Sequence, residues 1–359
     1  ALPISISSMS FSSQRAPTLY TFAEHTLDEV WLSGSRLVLS HRAVTRGQSA
    51  TTHSPDIFAI EAATDFRSPE AVALRDRLLS IQMLESHRDS ALDRLARVAG
   101  KRSLSCRMVL SHRIDGDSES LTIVLRAETL REDGTSLALL TTPRHLDQDI
   151  ETLLHLGDRR IELERSDLGS LPVLWASGSG GVLLHECAGH PAGISTPAVW
   201  PEWLQVVDDP SVETFDRPIN HSSELRRADL LAGEPPSSRR RASFRDHPRH
   251  RMSTLVGAAV KSAPFQLPAR HIEIELAAGG SWDPLTDQIS VNVLSASLVD
   301  GKTRRRVAPF LITGDRAQVA GSITGGRGEA IRYPGVLCSE HGQRLPVGTY
   351  CLDLITEGV

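Results

Sequence analysis

Residues 181–190 read Gly-Val-Leu-Leu-His-Glu-Cys-Ala-Gly-His, directly after the flexible stretch Ser177-Gly178-Ser179-Gly180. Two imidazoles and one carboxylate therefore fall within one or two helical turns. In a common pattern of zinc sites, two histidines lie at i and i+4 on one helix face, and the intervening glutamate acts as a general base. Here the two histidines, His185 and His190, lie at i and i+5. The stretch indicates a metal-binding helix with an irregular turn.

The spacing of the two histidines predicts the kind of irregularity. On a regular α-helix of about 3.6 residues per turn, side chains at i and i+5 point about 140° apart and cannot share one ion. A π-bulge adds one residue to the turn and brings such side chains together, and π-bulges concentrate at functional sites. Gly189 precedes the second histidine and lowers the energy of a distorted backbone. We therefore predict a π-bulge between His185 and His190.

A catalytic zinc ion usually takes three protein ligands and keeps the fourth position for water. His185 and His190 supply two ligands, and Glu186 could polarise a water molecule without binding the metal. The candidates for the third ligand are Cys187, Cys338, His341, Cys351 and distant carboxylates. Cys338 ends a segment that contains Pro334 and Gly335, and we expect this segment to present its side chain from a turn. The alternative interpretation is that both histidines are buried structural residues.

Length and composition restrict the class of protein. The chain has 359 residues, 40% of them hydrophobic and 23% charged, which is typical of a globular protein of about two domains. The apolar runs are all shorter than the roughly 18 residues of a membrane span, and no secretory signal is visible. A net charge of −5 argues against a nucleic-acid-binding protein. Four sparse cysteines indicate a reducing compartment. We expect a cytoplasmic protein that binds neither nucleic acid nor membrane.

Hydrophobic periodicity predicts mixed structure in the first half of the chain. Residues 1–68 indicate strands and loops of a first sheet, and residues 69–99 an amphipathic helix that is broken near Ser86. Further segments are predicted as three strands (Cys106–Ile114, Leu121–Leu130, Ser136–Thr141), a helix (Asp147–Leu156) and a short buried strand (Leu171–Ala176). The last strand leads into the metal-binding helix.

Alternating patterns dominate the second half from His271 onward. The predicted strands are His271–Leu276, Ile289–Leu294, Arg306–Ile312 and Leu345–Ile355. The predicted fold class is therefore α+β. An N-terminal mixed α/β domain (1–168) is expected to precede a mostly antiparallel, barrel-like β domain (169–359) that carries the metal-binding helix.

Two blocks of the chain resemble the TldD/PmbA family of zinc metallopeptidases, specifically its catalytic TldD-like branch. The family pattern Gly-x-Leu-Leu-His-Glu-x-x-Gly-His matches residues 181–190. The family pattern Cys-Gly-Lys-x-Gly-Gln-x-x-Pro-Val-Gly is similar to residues 338–348. Weaker blocks follow in the family order at Val206–Asp209, Arg249–Ser253 and Leu298–Lys302. The resemblance covers the chain from about residue 105 to its end.

The resemblance implies a function and a set of ligands. Cys338 would be the third zinc ligand beside His185 and His190, and Glu186 the catalytic base. The substrate would be an unfolded or extended peptide that lies in a channel between domains. Family members work as dimers, so a homodimer or a heterodimer with a TldE/PmbA-like paralogue is expected. The chain departs from the family at residues 191–195, where an acidic residue usually follows the second histidine, and in a shortened segment before Arg251.

Two other functions stay open on the sequence alone. The first is a specialised enzyme that processes one precursor peptide or a small amide in natural-product maturation, which would fit the shortened segment. The second is a non-catalytic scaffold subunit. Inert paralogues of such families lose their ligands, whereas this chain retains the glutamate and all three ligand residues.

Overall fold

The structure is a computed structural model. It describes residues 21–33, 38–51, 54–60, 104–115, 118–130, 136–142, 144–157, 171–195, 198–212, 215, 225–240, 242 and 249–358. Up to residue 125 it describes only the strands and their pairing. The predicted helix at 69–99 and the predicted domain boundary at 168/169 lie outside the described residues.

Strands dominate the described residues. They are β1 (Thr21–Ser33), β2 (Val38–Thr51), β3 (Ser54–Ile60), β4 (Leu104–Asp115), β5 (Ser118–Leu130), β6 (Ser136–Thr141), β7 (Val173–Trp175), β8 (Leu204–Asp208), β9 (Ala228–Asp229), β10 (Arg239–Arg240), β11 (Arg249–His250), β12 (Thr254–Ala259), β13 (Arg270–Asp283), β14 (Gln288–Asp300), β15 (Thr303–Val307), β16 (Phe310–Asp315), β17 (Ile323–Glu340) and β18 (Gln343–Thr356). The helices are α1 (Leu146–Gly157), α2 (Gly180–Leu184), which continues as a π-helical turn (His185–Gly189), and α3 (Arg316–Gly321).

Most of these strands form one large sheet in the order β15-β14-β13-β7-β18-β17-β6-β5-β4-β1-β2-β3. Neighbouring strands are antiparallel, except for the parallel pair β7–β13 and the parallel branch β12–β18. Within the described residues, one ladder pair, Gly335 with Leu140, joins the meander β1–β6 to the C-terminal strands. The predicted α+β class is confirmed by this strand-rich sheet with few helices.

The elements of the first half agree with their sequence patterns. Each of the three strands predicted between Cys106 and Thr141 lies inside β4, β5 or β6. The predicted helix Asp147–Leu156 is α1, which buries Leu146, Ile150 and Leu153 on one face. Among the described residues, none of the helices combines the length and the apolar character that crossing a bilayer requires.

Two local predictions are wrong. The segment 306–312 is two strands, because β15 ends at Val307 and β16 begins at Phe310. Pro309 lies between them and lacks the N–H that a continuous ladder needs. The segment 334–338 is not a turn but part of β17, where Cys338 pairs with Leu345 of β18. The turn lies further along, at His341 and Gly342, whose φ angles are 50° and 77°.

Helix α2 and the π-helical turn lie in the core of the C-terminal half. All ten residues from Gly180 to Gly189 are buried, and α2 packs against β12, β13 and β18. The approach is close, since a Cβ at Gly181 would lie 2.9 Å from Cβ of Thr349 on β18. A Cβ at Gly257 on β12 would lie 2.5 Å from Cδ1 of Leu184. Glycines on both sides therefore let the helix sit directly on the sheet.

Candidate metal centre

The π-helical turn His185–Gly189 places the two histidines side by side. The backbone N–H of His190 donates to the carbonyl of His185 at 3.1 Å, five residues back, which is the bond of a π turn. The two imidazole rings stand perpendicular, with centroids 4.8 Å apart. The predicted π-bulge is therefore confirmed, and it has the predicted effect of bringing both side chains to one position.

Gly189 has a different role from the expected one. Its φ is not in the left-handed region, so the turn does not depend on the conformational freedom of glycine. A Cβ at this position would instead lie 2.2 Å from Sδ of Met252 and 2.8 Å from its Cε. Met252 is buried against the turn. Close packing on Met252 therefore explains the glycine.

Strand β17 brings Cys338 to the two histidines. The candidate ligand atoms of His185, His190 and Cys338 all lie within 4.8 Å of one another. The distance from His190 Nε2 to Cys338 Sγ is 3.6 Å. A tetrahedral zinc ion with Zn–N bonds of about 2.05 Å and Zn–S bonds of about 2.3 Å separates its N and S ligands by about 3.6 Å. The geometry thus suits a zinc ion.

The other candidates for a third ligand do not join this group. In the described part of the chain, it is the one group of three or more His, Cys, Asp or Glu residues that could hold a metal ion. Cys187 and Cys351 are buried free thiols. Sγ of Cys351 would lie 3.3 Å from a Cβ at Gly180, so this thiol packs under α2. His341 contacts Glu340, with 3.2 Å between His341 Nε2 and Glu340 Oε1.

The donor atoms have the chemistry of a metal site. Nδ1 of His185 is buried and has no hydrogen-bond partner among the described residues. Burial, followed by the charges of His190 and Arg251, holds the pKa of His185 well below its usual value, which favours the neutral imidazole that binds metals. Burial raises the pKa of the Cys338 thiol to about 11, and Arg251 opposes this shift. A cation between these groups would stabilise the thiolate.

Glu186 is directed to the same place. Its Oε2 lies 3.7 Å from His190 Nε2 and has no hydrogen-bond partner among the described residues. The backbone N–H of Gly280 on β13 donates a hydrogen bond to the carboxylate. Burial nevertheless raises the pKa of Glu186 to about 8. The carboxyl group can therefore exchange a proton near neutral pH beside the three donor atoms.

A buried arginine connects the Cys338 strand to the segment before β12. Arg251 Nη2 donates to both the carbonyl oxygen and Sγ of Cys338, each at 3.1 Å. Its Nη1 donates to the carbonyl of Glu340 at 3.2 Å, and its Nε lies 3.0 Å from Glu340 Oε2. The same Oε2 lies 3.8 Å from His190 Nδ1. Arg251 and Glu340 therefore surround two of the three donor residues.

Arg251 and Glu340 are two residues of the site that the sequence patterns did not predict. Arg251 belongs to the block 249–253 that resembles a family segment, and Glu340 lies two residues after Cys338. Their places in these two blocks of the sequence are the signals that could have identified them. The ion pair between Arg251 and Glu340 depends on how β17 packs against the segment before β12. This packing cannot be predicted from a local sequence pattern.

Two cavities open beside the cluster. One of about 380 Å³ is lined by His185, Glu186, His190, Cys338 and the β13 residues Gly279–Trp282. We call it the metal cavity. A second cavity of about 410 Å³ lies along His190, Arg251, Glu340 and His341. The donor atoms are thus reachable from solvent although most of them are buried.

No protein-family profile and no curated protein sequence matches this chain. Among solved structures, two proposed modulators of DNA gyrase align with it. The protein from Bacteroides thetaiotaomicron has a TM-score of 0.47 and 11% identity over 95% of this chain and 93% of that chain. The protein from Thermotoga maritima has a TM-score of 0.49 and 10% identity over 94% of each chain. TldE from Thermococcus kodakarensis aligns with a TM-score of 0.52 and 10% identity over 95% of this chain and 96% of that chain. The chain therefore shares the fold of TldE.

Proposed function

We propose that the protein is a zinc-dependent peptidase that hydrolyses an unfolded or extended peptide. One observation carries the proposal: the ligand atoms of His185, His190 and Cys338 converge within 4.8 Å of one another. Glu186 is directed to the same point, with its Oε2 3.7 Å from His190 Nε2. Three ligands with a carboxylate beside them are the composition of a catalytic zinc site.

His185, His190 and Cys338 would hold the zinc ion. When bound, zinc supplies Lewis-acid chemistry, since it makes water a stronger acid and withdraws electron density from a carbonyl. Glu186 would accept a proton from the attacking water at Oε2 and transfer it to the leaving amine. In the metal-free protein, burial raises the pKa of Glu186 to about 8. A zinc ion held by the three neighbouring residues would lower this pKa and so favour the ionised carboxylate that a general base requires.

The edge of strand β17 is the observation that favours an extended peptide as the substrate. Residues 336–340 pair with β18 along one edge. Along the other edge, the described strands pair with β17 only at Gly335, opposite Leu140. The stretch 336–340 lines the metal cavity, and a neighbouring cavity of about 250 Å³ shares Val336, Leu337 and Ser339 with it. A peptide could add to this edge as a further strand and pass the metal.

We also propose that the protein acts in the cytoplasm as one subunit of a two-chain assembly, with a second copy or with a TldE/PmbA-like paralogue. The resemblance of its two metal-binding blocks to the TldD-like branch supports this proposal. Native mass spectrometry, on the protein alone and co-expressed with its neighbouring genes, is expected to give a two-chain species. A monomer under both conditions would contradict the proposal.

The central test is Glu186→Gln, which keeps the size of the side chain and removes the base. We expect wild-type, zinc-loaded protein to hydrolyse a disordered peptide such as unfolded casein, and the variant to lose at least about a hundredfold in rate. Both proteins are expected to bind one zinc per chain, measured by elemental analysis. A fully active variant would refute the role of Glu186.

The remaining outcomes separate the alternative functions. Hydrolysis of one precursor peptide, with casein untouched, would indicate a specialised processing enzyme. If the zinc-loaded wild-type protein hydrolyses no peptide, either alone or with its partner, the peptidase proposal fails and a scaffold subunit is the better interpretation.

A further inference from the structure

The metal cavity has an apolar side that the proposed chemistry does not use. Its ionisable lining residues are the three candidate ligands, Glu186, Glu340 at the end of β17 and His341 in the turn that follows. The rest of the lining is small or apolar, and its larger apolar members are Ile194, Trp282, Pro284, Val336 and Leu337. Ile194 and Leu337 are 62% and 44% exposed. Exposed apolar residues that border a polar reaction centre mark a binding surface.

An ion pair between the buried Arg316 and the partly exposed Asp287 holds this apolar side in place. Trp282 Nε1 donates to Asp287 Oδ1 at 2.8 Å. Arg316 Nε donates to the same oxygen at 2.7 Å, and Arg316 Nη2 donates to Ser195 Oγ at 3.1 Å. The Arg316 side chain is only 5% exposed. One arginine therefore links the tryptophan on β13 to the turn that follows His190.

The turn after His190 is itself well defined. The backbone N–H groups of Ile194 and Ser195 both donate to the carbonyl of Pro191, each at 2.9 Å. This is the segment 191–195, where the sequence has no acidic residue. Because Arg316 and the turn fix the positions of Trp282 and Ile194, the apolar side is formed before any ligand binds. A preformed surface loses little entropy on binding.

We propose that Ile194, Trp282 and Leu337 form a side-chain subsite, and that this subsite accepts an apolar residue of the peptide next to the scissile bond. The inference rests on the proposed peptidase function and adds a substrate preference to it. An apolar side chain would displace water from Trp282 and Leu337. A charged side chain would lose its hydration there without gaining a partner. The segment 191–195 has no acidic residue that could pair with a basic side chain, and Glu340 of the same cavity is already paired with Arg251.

The first experiment uses the zinc-loaded protein in its native assembly. Disordered peptides that differ only at the residues flanking one cleavage site are compared by mass spectrometry and by kcat/KM. We expect leucine or phenylalanine at one flanking position to exceed aspartate or lysine by at least about tenfold. In Trp282→Ala this ratio is expected to fall towards one. Phe265→Ala is the matched control, since Phe265 is a half-exposed aromatic residue that contacts Arg327 away from the metal cavity and should keep the wild-type ratio.

A second experiment measures binding without turnover. Peptidyl hydroxamates with leucine or aspartate at the flanking position are titrated by calorimetry into the same protein. We expect the leucine compound to bind at least about tenfold more tightly, and Trp282→Ala to remove this difference.

The outcomes separate the subsite from the peptidase function. If no peptide is hydrolysed but the hydroxamates show the apolar preference, the peptidase proposal fails and the subsite stands. Hydrolysis with equal rates for apolar and charged residues refutes the subsite and leaves the peptidase intact. If Ile194→Ser and Leu337→Ser dissociate the native assembly without changing the preference, these residues belong to a subunit interface and the subsite is refuted.

Discussion

Replacing Arg251 with methionine is expected to weaken zinc binding about 10- to 100-fold, because this arginine holds the sulfur of Cys338, the proposed third ligand. Its Nη2 lies 3.1 Å from Cys338 Sγ. Arg251 opposes the raised pKa of the thiol, so its removal makes the thiolate harder to form. Methionine keeps a similar length but provides neither charge nor N–H donors.

The magnitude follows from the single bond between Arg251 and Sγ. A charge-assisted hydrogen bond contributes about 1.5–3 kcal/mol. At about 1.4 kcal/mol for each factor of ten, this corresponds to about 10- to 100-fold in the dissociation constant. Substitutions of residues that contact metal ligands have effects of the same size.

The assay is competition between the metal-free protein and a chromophoric chelator, with folding verified by circular dichroism. Arg240→Met is the matched control, since Arg240 is also a buried arginine and donates to the carbonyls of Met252 and Pro346. We expect the control to lose stability and to keep wild-type zinc affinity. In the cobalt-substituted protein, the thiolate-to-metal absorption band should move to lower energy in Arg251→Met only.

If folded Arg251→Met binds zinc as tightly as wild type, Arg251 does not support the metal site in this way. The same conclusion follows if Arg240→Met loses as much zinc affinity as Arg251→Met. Either result would mean that both arginines support the fold in general and not the ligand.

Three further predictions concern the same centre. Cys338→Ser should lose more zinc affinity than Arg251→Met, since it removes a proposed ligand. Cys187→Ser should keep wild-type zinc content by elemental analysis, and equal losses in the two cysteine variants would contradict the proposed ligand assignment. Gly189→Ala should destabilise the fold by about 1–3 kcal/mol in urea unfolding, because its Cβ would overlap Met252, and a second change, Met252→Ala, should recover part of this loss. Wild-type stability of the single variant would disprove that packing explanation. Finally, burial raises the pKa of Glu186 in the folded, metal-free protein from the ordinary value of 4.5 to about 8. The protonated carboxyl group therefore contributes its full share to stability below pH 4.5, and this contribution is lost as the pH rises to about 8. The free energy of unfolding of metal-free Glu186→Gln, relative to that of wild type, should therefore increase over this pH range by up to about 1.4 kcal/mol per pH unit. A difference that does not change with pH would show that the pKa of Glu186 is not raised in the folded protein.

Local sequence patterns correctly predicted those helices, turns and strands whose conformation depends on residues close by in the chain. The i, i+5 spacing of His185 and His190 predicted the π turn, because the direction of a helical side chain depends only on residues within one or two turns. The apolar spacing in 147–156 predicted α1, and the alternation between residues 106 and 141 predicted β4 to β6.

Local patterns failed where a distant partner decides the conformation. The proline and glycine of 334–335 indicated a turn, but pairing with β18 keeps this segment extended through Cys338. Alternation in 306–312 indicated one strand, whereas the chain pairs with β14 in two separate pieces around Pro309. At 334–338, hydrogen bonds to β18 override the local preference, whereas at 306–312 the interruption comes from Pro309, which lacks the N–H of a continuous ladder.

The amino-acid sequence by itself determined the two histidines, the glutamate and the turn that groups them, because these residues lie within six positions of one another. It named Cys338 as a ligand through the resemblance of its block to a known family. Only the tertiary structure brought the Cys338 sulfur to 3.6 Å from His190, across 148 residues of chain. It alone added Arg251, Glu340 and the apolar side at Trp282, since sheet pairing and packing between segments far apart in the chain bring these residues together.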